Sequence, residues 1–360
     1  MTPSRLNVAM VCFEWPNSSG HTGGVGRYVH RLALALKEYV DLTIYTFDGA
    51  ELVDGVEFVL LRRPKSRLGR FYMTPLSLMW KLPVRKFDIV HAHGDDWGVV
   101  RRSSLVRSFY GSSKSEARSS DGLRRWNHYA LWLLEIYSSK HSAVTVAIAP
   151  ESASEFNTDH LIPPLAALPP NAIPSPSDKP TFVFIGSFAG RKRGWLAAKA
   201  VEGLRAEMGT EIELFVVGPA DDVDSWPEFV QHCSGLDDQE VTSLLCKAWA
   251  LLAPSSYEGF GIPTVEALNV PIRVVASKNP GNEYFASIAP AGTPLHRTES
   301  DDEFSVMVAR AAEMGPLVEG LETESARQFV DRLTESSSLL RFLEIYDDVL
   351  AVKSMNFRNP

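Results

Sequence analysis

Residues 249–270 read WALLAPSSYEGFGIPTVEALNV, and the fold follows from this stretch. Ala250 to Ala253 is a continuous apolar run of strand length, the pattern of a parallel strand covered on both faces. A Gly-Phe-Gly turn follows, and then Pro263, at a favoured first helical position, opens a helix to Leu268. Strand, glycine-rich loop and helix make one βα unit whose loop lies at the carboxyl end of the strand, where open parallel sheets bind their ligands. Glu258 and Glu266, eight positions apart, bracket the turn. With the helix starting near Pro263, Glu266 falls in its first turn, and Gly259, Phe260, Gly261 and Ile262 offer backbone N–H groups nearby. Carboxylates accept hydrogen bonds from vicinal hydroxyls, and amides at a helix start take phosphate oxygens, so the loop suits a ligand that carries both. Chance surface glutamates are the plain alternative.

The same rhythm extends in both directions. Downstream of a proline-rich stretch, Leu161 to Pro180, strands are expected at Thr181–Ile185, Glu211–Val217, Ala250–Ala253 and Ile272–Ala276, with helices at Trp195–Ala206, Asp237–Ala248 and Pro263–Leu268. Upstream, strands are expected at Asn7–Phe13, Asp41–Thr46, Gly55–Leu60, Asp88–Ala92, Leu105–Phe109 and Ala143–Ala149, with helices at Tyr28–Glu38 and Leu123–Tyr137. The pattern is that of two doubly wound α/β domains in tandem, joined where prolines remove backbone donors. The expected division is 1–173 and 174–338. Residues 339–360 then form a last helix whose Leu339, Leu343, Tyr346 and Val349 recur at helical intervals, so that its apolar face must pack on something.

Composition narrows the function classes. The 360 residues are 45% hydrophobic and 22% charged, which excludes a disordered chain, and the net charge of −8 gives no general attraction to nucleic acid. That charge is uneven. Residues 1–175 carry 20 Lys/Arg and 16 Asp/Glu, and residues 176–360 carry 16 and 28, so the halves stand at +4 and −12. Three cysteines without CxxC spacing, and no basic-then-apolar start, point to a reducing cytoplasm. No window approaches the roughly 20 apolar residues of a membrane-spanning helix, so any membrane contact is expected to be peripheral, at the inner face.

Two more loops carry chemistry. After the first strand, EWPNSSGHTGGVGRYVHRLALAL places Gly23, Gly24 and Gly26 directly before a helix, where backbone amides suit a phosphate oxygen. The spacing is not G-x-G-x-x-G, which argues against a dinucleotide fold, and a bare helix cap is the alternative. After the strand ending at Ile185, GSFAGRKRGW brings Arg191, Lys192 and Arg193 together in the acidic half. Three cations at the mouth of a parallel strand would neutralise a diphosphate; a solvated basic turn is the other reading.

With these stretches in view, the chain resembles the retaining glycosyltransferases of family 4. The carrying segments are TGGVGRYV (22–29), DIVHAHGDDWG (88–98), GSFAGRKRG (186–194), LFVVGPA (214–220), GLDDQEVTSLLCKAW (235–249), EGFGIPTVEAL (258–268) and NPGNEY (279–284). The resemblance covers essentially the whole chain, and the glutamate pair in its EGFG setting is its specific part. It implies a GT-B fold of two Rossmann-like doubly wound domains facing a cleft, with the last helix crossing back to the first domain. It also implies metal independence, no cofactor, and transfer of a hexose from a nucleoside diphosphate sugar, UDP ahead of GDP, with retention at the anomeric carbon. Glu258, Arg191 and Lys192 would be catalytic, the cations stabilising the leaving diphosphate. Gly23, Gly24, Tyr110, Gly259, Phe260, Gly261, Ile262 and Glu266 would bind the donor, Glu258 holding the transferred sugar and Glu266 the ribose.

The chain departs from the family pattern at three points. Ser187 stands where an arginine follows the strand glycine, Tyr110-Gly111 replaces His-Gly, and Asn269-Val270-Pro271 replaces a small-Gly-x-Pro turn. These motivate two other readings, a sugar-nucleotide-binding protein without turnover and a GT-B enzyme of other chemistry such as an epimerase. His91 and His93 read as satisfied core histidines rather than metal ligands, and Cys12 as a small core residue. Phe13 and Trp15 could line an acceptor cleft or pack their loop. Between Arg62 and Arg125 stand 15 Lys/Arg and 5 Asp/Glu, a local +10, interleaved with aromatic and aliphatic residues such as Phe71, Tyr72 and Trp80. This belt reads as a surface for an anionic bilayer or an anionic, lipid-linked or saccharide acceptor, or as solvated loops around a buried amphipathic helix.

Overall fold

The computed structural model describes residues 5–17, 24–100, 102–118, 120–164, 172–209, 211–336 and 339–356. The chain divides into two units, Met1–Ala167 with Ser336–Pro360, and Leu168–Glu335.

In the first unit, strands β1 (Asn7–Val11), β2 (Asp41–Phe47), β3 (Glu57–Leu61), β4 (Ile89–Ala92), β5 (Leu105–Phe109), β6 (Val144–Ala147) and β7 (His160–Leu161) form a seven-stranded sheet. Its order is β3-β2-β1-β4-β5-β6-β7, with parallel pairing throughout. Val8, Ala9, Met10 and Val11 of the interior strand β1 are wholly buried, because helices cover both faces of a parallel sheet. Those helices include α1 (Gly24–Leu36), α2 (Thr74–Lys81), α3 (Ser113–Arg118), α4 (Gly122–His141) and α5 (Pro150–Phe156). On α1, Val29, Leu32, Ala33 and Leu36 recur at helical spacing and are buried, together with Tyr28.

The second unit holds β8 (Thr181–Ile185), β9 (Glu213–Val217), β10 (Val230–Cys233), β11 (Ala250–Ala253), β12 (Arg273–Ser277) and β13 (Leu295–Thr298), in the order β10-β9-β8-β11-β12-β13, again all parallel. Around it lie α6 (Gly194–Met208), α7 (Asp238–Lys247), α8 (Ile262–Asn269), α9 (Pro280–Ile288), α10 (Asp301–Met314) and α11 (Leu321–Ser336). Phe182, Phe184, Leu196, Val201, Val216, Leu252 and Phe304 belong to one buried cluster between sheet and helices. Both sheets reverse their strand order beside the first strand, between β1 and β4 and between β8 and β11. Loops leaving such a pair turn to opposite faces and open a crevice at the carboxyl edge.

The last helix, α12 (Leu339–Asn356), packs on α1 of the first unit. Phe342, Ile345, Tyr346 and Val349, on one helical face, are buried there, and the Tyr346 hydroxyl is 2.8 Å from His91 Nδ1.

The proline-rich stretch is attached at both described ends. His160–Leu161 pairs with β6, while the N–H groups of Ser175 and Ser177 donate to the carbonyls of Cys246 and Lys247. Three strands go beyond the expected set, the two-residue β7 and two in the second unit. VQHC and LHRT, the edge strands β10 and β13, have no apolar run to announce them, because an edge position buries less of each side chain.

Candidate active site

The loops after β8 and β11 meet at the switch point of the second sheet, since the two strands are hydrogen-bonded neighbours with Phe184 opposite Leu252. The first loop makes a short 3-10 turn, Gly190–Lys192, and the second runs through Ser255 and Glu258 into α8. They are tied by backbone: the Ser256 N–H donates to the Arg191 carbonyl at 2.8 Å, and the Arg191 guanidinium donates to the Tyr257 carbonyl at 3.0 Å.

Across this junction the Glu258 carboxylate faces two cations. Lys192 Nζ lies 2.6 Å from Oε1 and Arg191 Nη1 lies 3.0 Å from Oε2. Burial pushes the Glu258 carboxyl up, but the charges of Lys192 and Arg191, with hydrogen bonds from Lys192 and Ser255, outweigh it and hold the group down at about 2. Glu258 is therefore ionised at neutral pH. Arg191 is 43% exposed, so part of the cationic pair faces solvent.

The Lys192 stem crosses directly over Gly186. A Cβ on that glycine, whose φ is +152°, would meet Lys192 Cγ at 2.9 Å. The strand-end glycine is thus a clearance for the lysine.

The second loop is held from below by α9. Gly281 lies against the loop backbone, where a Cβ would approach the Phe260 carbonyl oxygen to 2.4 Å, and its N–H donates to the Glu258 carbonyl at 3.0 Å. Asn279 caps α9 by accepting from the Asn282 N–H, and its Nδ2 donates to the Ser255 carbonyl at 3.0 Å. Phe260 buries its ring edge-on against Phe285, so only its backbone is left at the loop surface. Gly261 takes the left-handed conformation, φ +99°, that starts α8. Lys192, Ser255, Glu258, Gly261, Thr264 and Asn282 line a pocket at this edge. Asn282 donates through Nδ2 to the Ser277 carbonyl, and its buried Oδ1 has no partner among the described residues.

Several expected positions move. Arg193 is not part of the cationic face: held at φ +52°, its guanidinium donates to the Pro254 carbonyl, Asp301 and Ser277, so it clamps the loops and leaves Arg191 and Lys192 at the pocket. α8 begins at Ile262, which puts the half-buried Glu266 fifth in the helix, one turn in rather than within the first turn. Gly259 and Ile262 lie in the same loop and helix start as Glu258. Gly23 lies outside the described residues, and Gly24 opens α1 with nothing within 4 Å of a Cβ placed on it.

Tyr110, in the first unit, has its hydroxyl 2.6 Å from His93 Nδ1, and burial pushes the phenol well above its usual range. His91 is held between the hydroxyls of Tyr346 and Ser108, each at 2.8 Å, and burial lowers both His91 and His93. Trp15 is buried, with Nε1 donating to the Glu51 carbonyl, and Phe13 lies against Phe47, so both pack their loop. Cys12 is buried. Among the described residues no group of three or more His, Cys, Asp or Glu side chains is placed to hold a metal ion, and no helix is long and apolar enough to cross a membrane.

Ser255, Asn279 and Asn282, the last two within NPGNEY, also support or line the pocket, a role the resemblance does not assign them. Their signal was Asn-Pro at 279–280, an N-cap followed by proline at the first helical position.

Set beside known proteins, the two halves match two adjoining family models, Glycosyltransferase Family 4 over residues 22–173 and Glycosyl transferases group 1 over residues 170–319. The chain belongs to glycosyltransferase family 4. A curated relative, an MMP α-(1→4)-mannosyltransferase of Mycolicibacterium hassiacum, is 26% identical over 167 residues, 42% of this chain and 39% of the relative. The match thus spans well under half of that relative's length. Among solved structures, sucrose-phosphate synthase of Thermosynechococcus elongatus superposes with a TM-score of 0.75 at 14% identity, covering 97% of this chain and 100% of that one. HepE of Anabaena, in complex with UDP and glucose, gives 0.65 at 12% identity over 97% and 100%. At such identities the superpositions establish the GT-B fold of two Rossmann-like domains.

Proposed function

We propose that this family-4 protein transfers a hexose from a nucleoside diphosphate sugar, UDP ahead of GDP, to an acceptor hydroxyl, with retention at the anomeric carbon and without a metal ion. The observation that carries the reading is the Glu258 carboxylate flanked by Lys192 and Arg191 at the switch point of the second sheet. When the bond between the anomeric carbon and the phosphate oxygen breaks, negative charge collects on the departing diphosphate. Arg191 and Lys192 would stabilise that charge where it develops. The ionised Glu258 would accept hydrogen bonds from sugar hydroxyls and keep both cations aimed at the pocket, leaving the acceptor proton to be taken up on the face where the diphosphate departs. Glu266 would receive the ribose, and the backbone of Gly259 to Ile262 and of Gly23 and Gly24 the donor phosphates. Tyr110 would face the donor sugar once its hydroxyl turns from His93. HepE, a structural neighbour, is described in complex with UDP, which supports the nucleotide assignment.

Thermal shift of the purified protein with UDP- and GDP-sugars tests donor binding, because a ligand of the native state raises its stability by RT ln(1 + [L]/Kd). Transfer or hydrolysis of the stabilising donor, an α-configured product by NMR and an unchanged rate in chelator are expected. Binding without any turnover would instead identify a non-catalytic sugar-nucleotide-binding protein.

A further inference from the structure

α4 carries an apolar stripe that nothing among the described residues covers. Leu123, Trp126, Ala130, Leu133 and Tyr137 follow one another at steps of three and four and are all exposed, Leu123 at 89%, Trp126 at 72% and Leu133 at 62%. The opposite face of the same helix is the one that docks. His128 pairs with Glu116 at 3.5 Å, the Trp132 ring lies under Lys114, and Glu135 accepts from the Ser113 N–H and hydroxyl, all on α3 or its first residue. Of the twenty residues of α4, only Ser138 is fully buried.

A second exposed set lies beside it. The Tyr72 hydroxyl donates to Asn127 Oδ1 at 3.0 Å, which ties the turn Gly69–Met73, from which α2 continues directly, to the N-terminal half of α4. Met73 and Trp80, seven apart and on one face, are both exposed, Trp80 at 74%. Exposed cations stand near these apolar groups in the chain, Lys65, Arg67, Lys81, Arg85, Arg124 and Arg125, with Lys140 near the far end of α4, and the Arg67 charge reaches His128 of α4. The acidic groups nearest in the chain are Glu116, Asp121 and Glu135, of which Glu116 faces His128 and Glu135 is turned to the Ser113 donors on the docked side of α4.

We infer that this face, α4 with α2, docks the protein on an anionic lipid bilayer. Exposed apolar groups that include Trp126 on α4 and Trp80 on α2, with exposed Lys and Arg close to them in the chain, have the chemistry of an interfacial surface, in which rings and aliphatic chains enter the headgroup boundary and the cations meet lipid phosphates. A second copy of the chain fits less well. A two-fold contact would set the same patch against itself, and the stretch 62–125, with 15 Lys/Arg against 5 Asp/Glu, would then face like charge. The stripe lies in the first unit and the Glu258 pocket in the second, so the inference stands apart from the donor assignment and can fail without it.

The test is co-sedimentation of the full chain with vesicles of phosphatidylcholine alone and of phosphatidylcholine with phosphatidylglycerol. Binding to the anionic vesicles is expected to exceed that to the neutral ones at least about tenfold at low salt, with a blue shift of tryptophan emission, and to weaken as salt rises. The triple variant Leu123→Ser, Trp126→Ser, Leu133→Ser should lose the binding while keeping the wild-type melting temperature and nucleotide-sugar thermal shift. Arg124→Gln with Arg125→Gln should lose the preference for the anionic lipid. Absence of wild-type binding at low salt, or equal binding by the triple variant, overturns the inference. So does a concentration-dependent dimer in sedimentation velocity that the triple variant abolishes, which would assign the stripe to self-association.

Discussion

Asp96 and Glu258 occupy matching places in the two units and have opposite fates. Each follows a strand on the far side of the switch point, β4 and β11, and each carboxylate is held by two cations. Asp96 pairs with Arg102, lies 3.3 Å from Arg107 Nε and accepts from the Ser138 hydroxyl at 2.5 Å, with all three charged side chains sealed from solvent. Glu258 meets Lys192 and a half-exposed Arg191 at the edge of a pocket. A sealed ion cluster ties elements together, here the loop after β4 to β5 and α4, and lies out of reach of a ligand in solvent. An open one keeps its charges within reach of whatever enters. Access, rather than the count of charges, separates a structural cluster from a site.

The largest expected effect comes from breaking the sealed cluster. Asp96→Ala leaves two buried guanidinium groups unpaired and should cost about 3–5 kcal/mol in urea or guanidinium unfolding, with nucleotide-sugar binding unchanged per folded molecule. At the open cluster the ranking inverts. Glu258→Gln leaves Lys192 and Arg191 able to turn toward solvent, so stability should fall less than at Asp96, while transfer should drop about 100-fold or more. Equal stability losses at the two positions would erase the distinction.

A subtler break is Gly186→Ala, which drives a Cβ into the Lys192 stem while leaving the lysine in place. Donor affinity should weaken about tenfold, the effect of roughly 1.4 kcal/mol of misplacement, read by calorimetric titration with the donor identified in the thermal-shift screen.

The smallest effect concerns pH. Burial, against the Ser113 donors, pushes Glu135 up to about 7, so between its ordinary 4.5 and 7 the folded state binds the extra proton and stability falls as pH rises. For Glu258, held at about 2, the unfolded state binds more protons between 2 and 4.5, and stability rises with pH across that window. Glu135→Gln should flatten the first slope and Glu258→Gln the second, as followed by melting temperature across pH.

How much of this was readable along the chain varies with burial. Interior strands such as Asn7–Val11 and Thr181–Ile185 stand out, because burial on both faces demands an uninterrupted apolar run. The edge strands β10 and β13 carry no such run and went unseen. The Glu258 loop was readable because a glycine turn, a proline helix start and two glutamates crowd into a dozen residues. Arg193 was misjudged, since adjacency in sequence says nothing about a left-handed residue that turns its guanidinium back onto Pro254, Asp301 and Ser277.

By itself the sequence determined the two doubly wound units, their family, and the residue types at the Glu258 loop, because apolar periodicity and glycine or proline placement are local constraints on the backbone. Only the tertiary structure decided which charges are open and which are sealed, that Gly186 clears a path for Lys192, and that α4 turns an apolar stripe outward. Those are matters of what lies across from each side chain, and the partners come from strands and helices tens to hundreds of residues away, as Tyr346 does for His91.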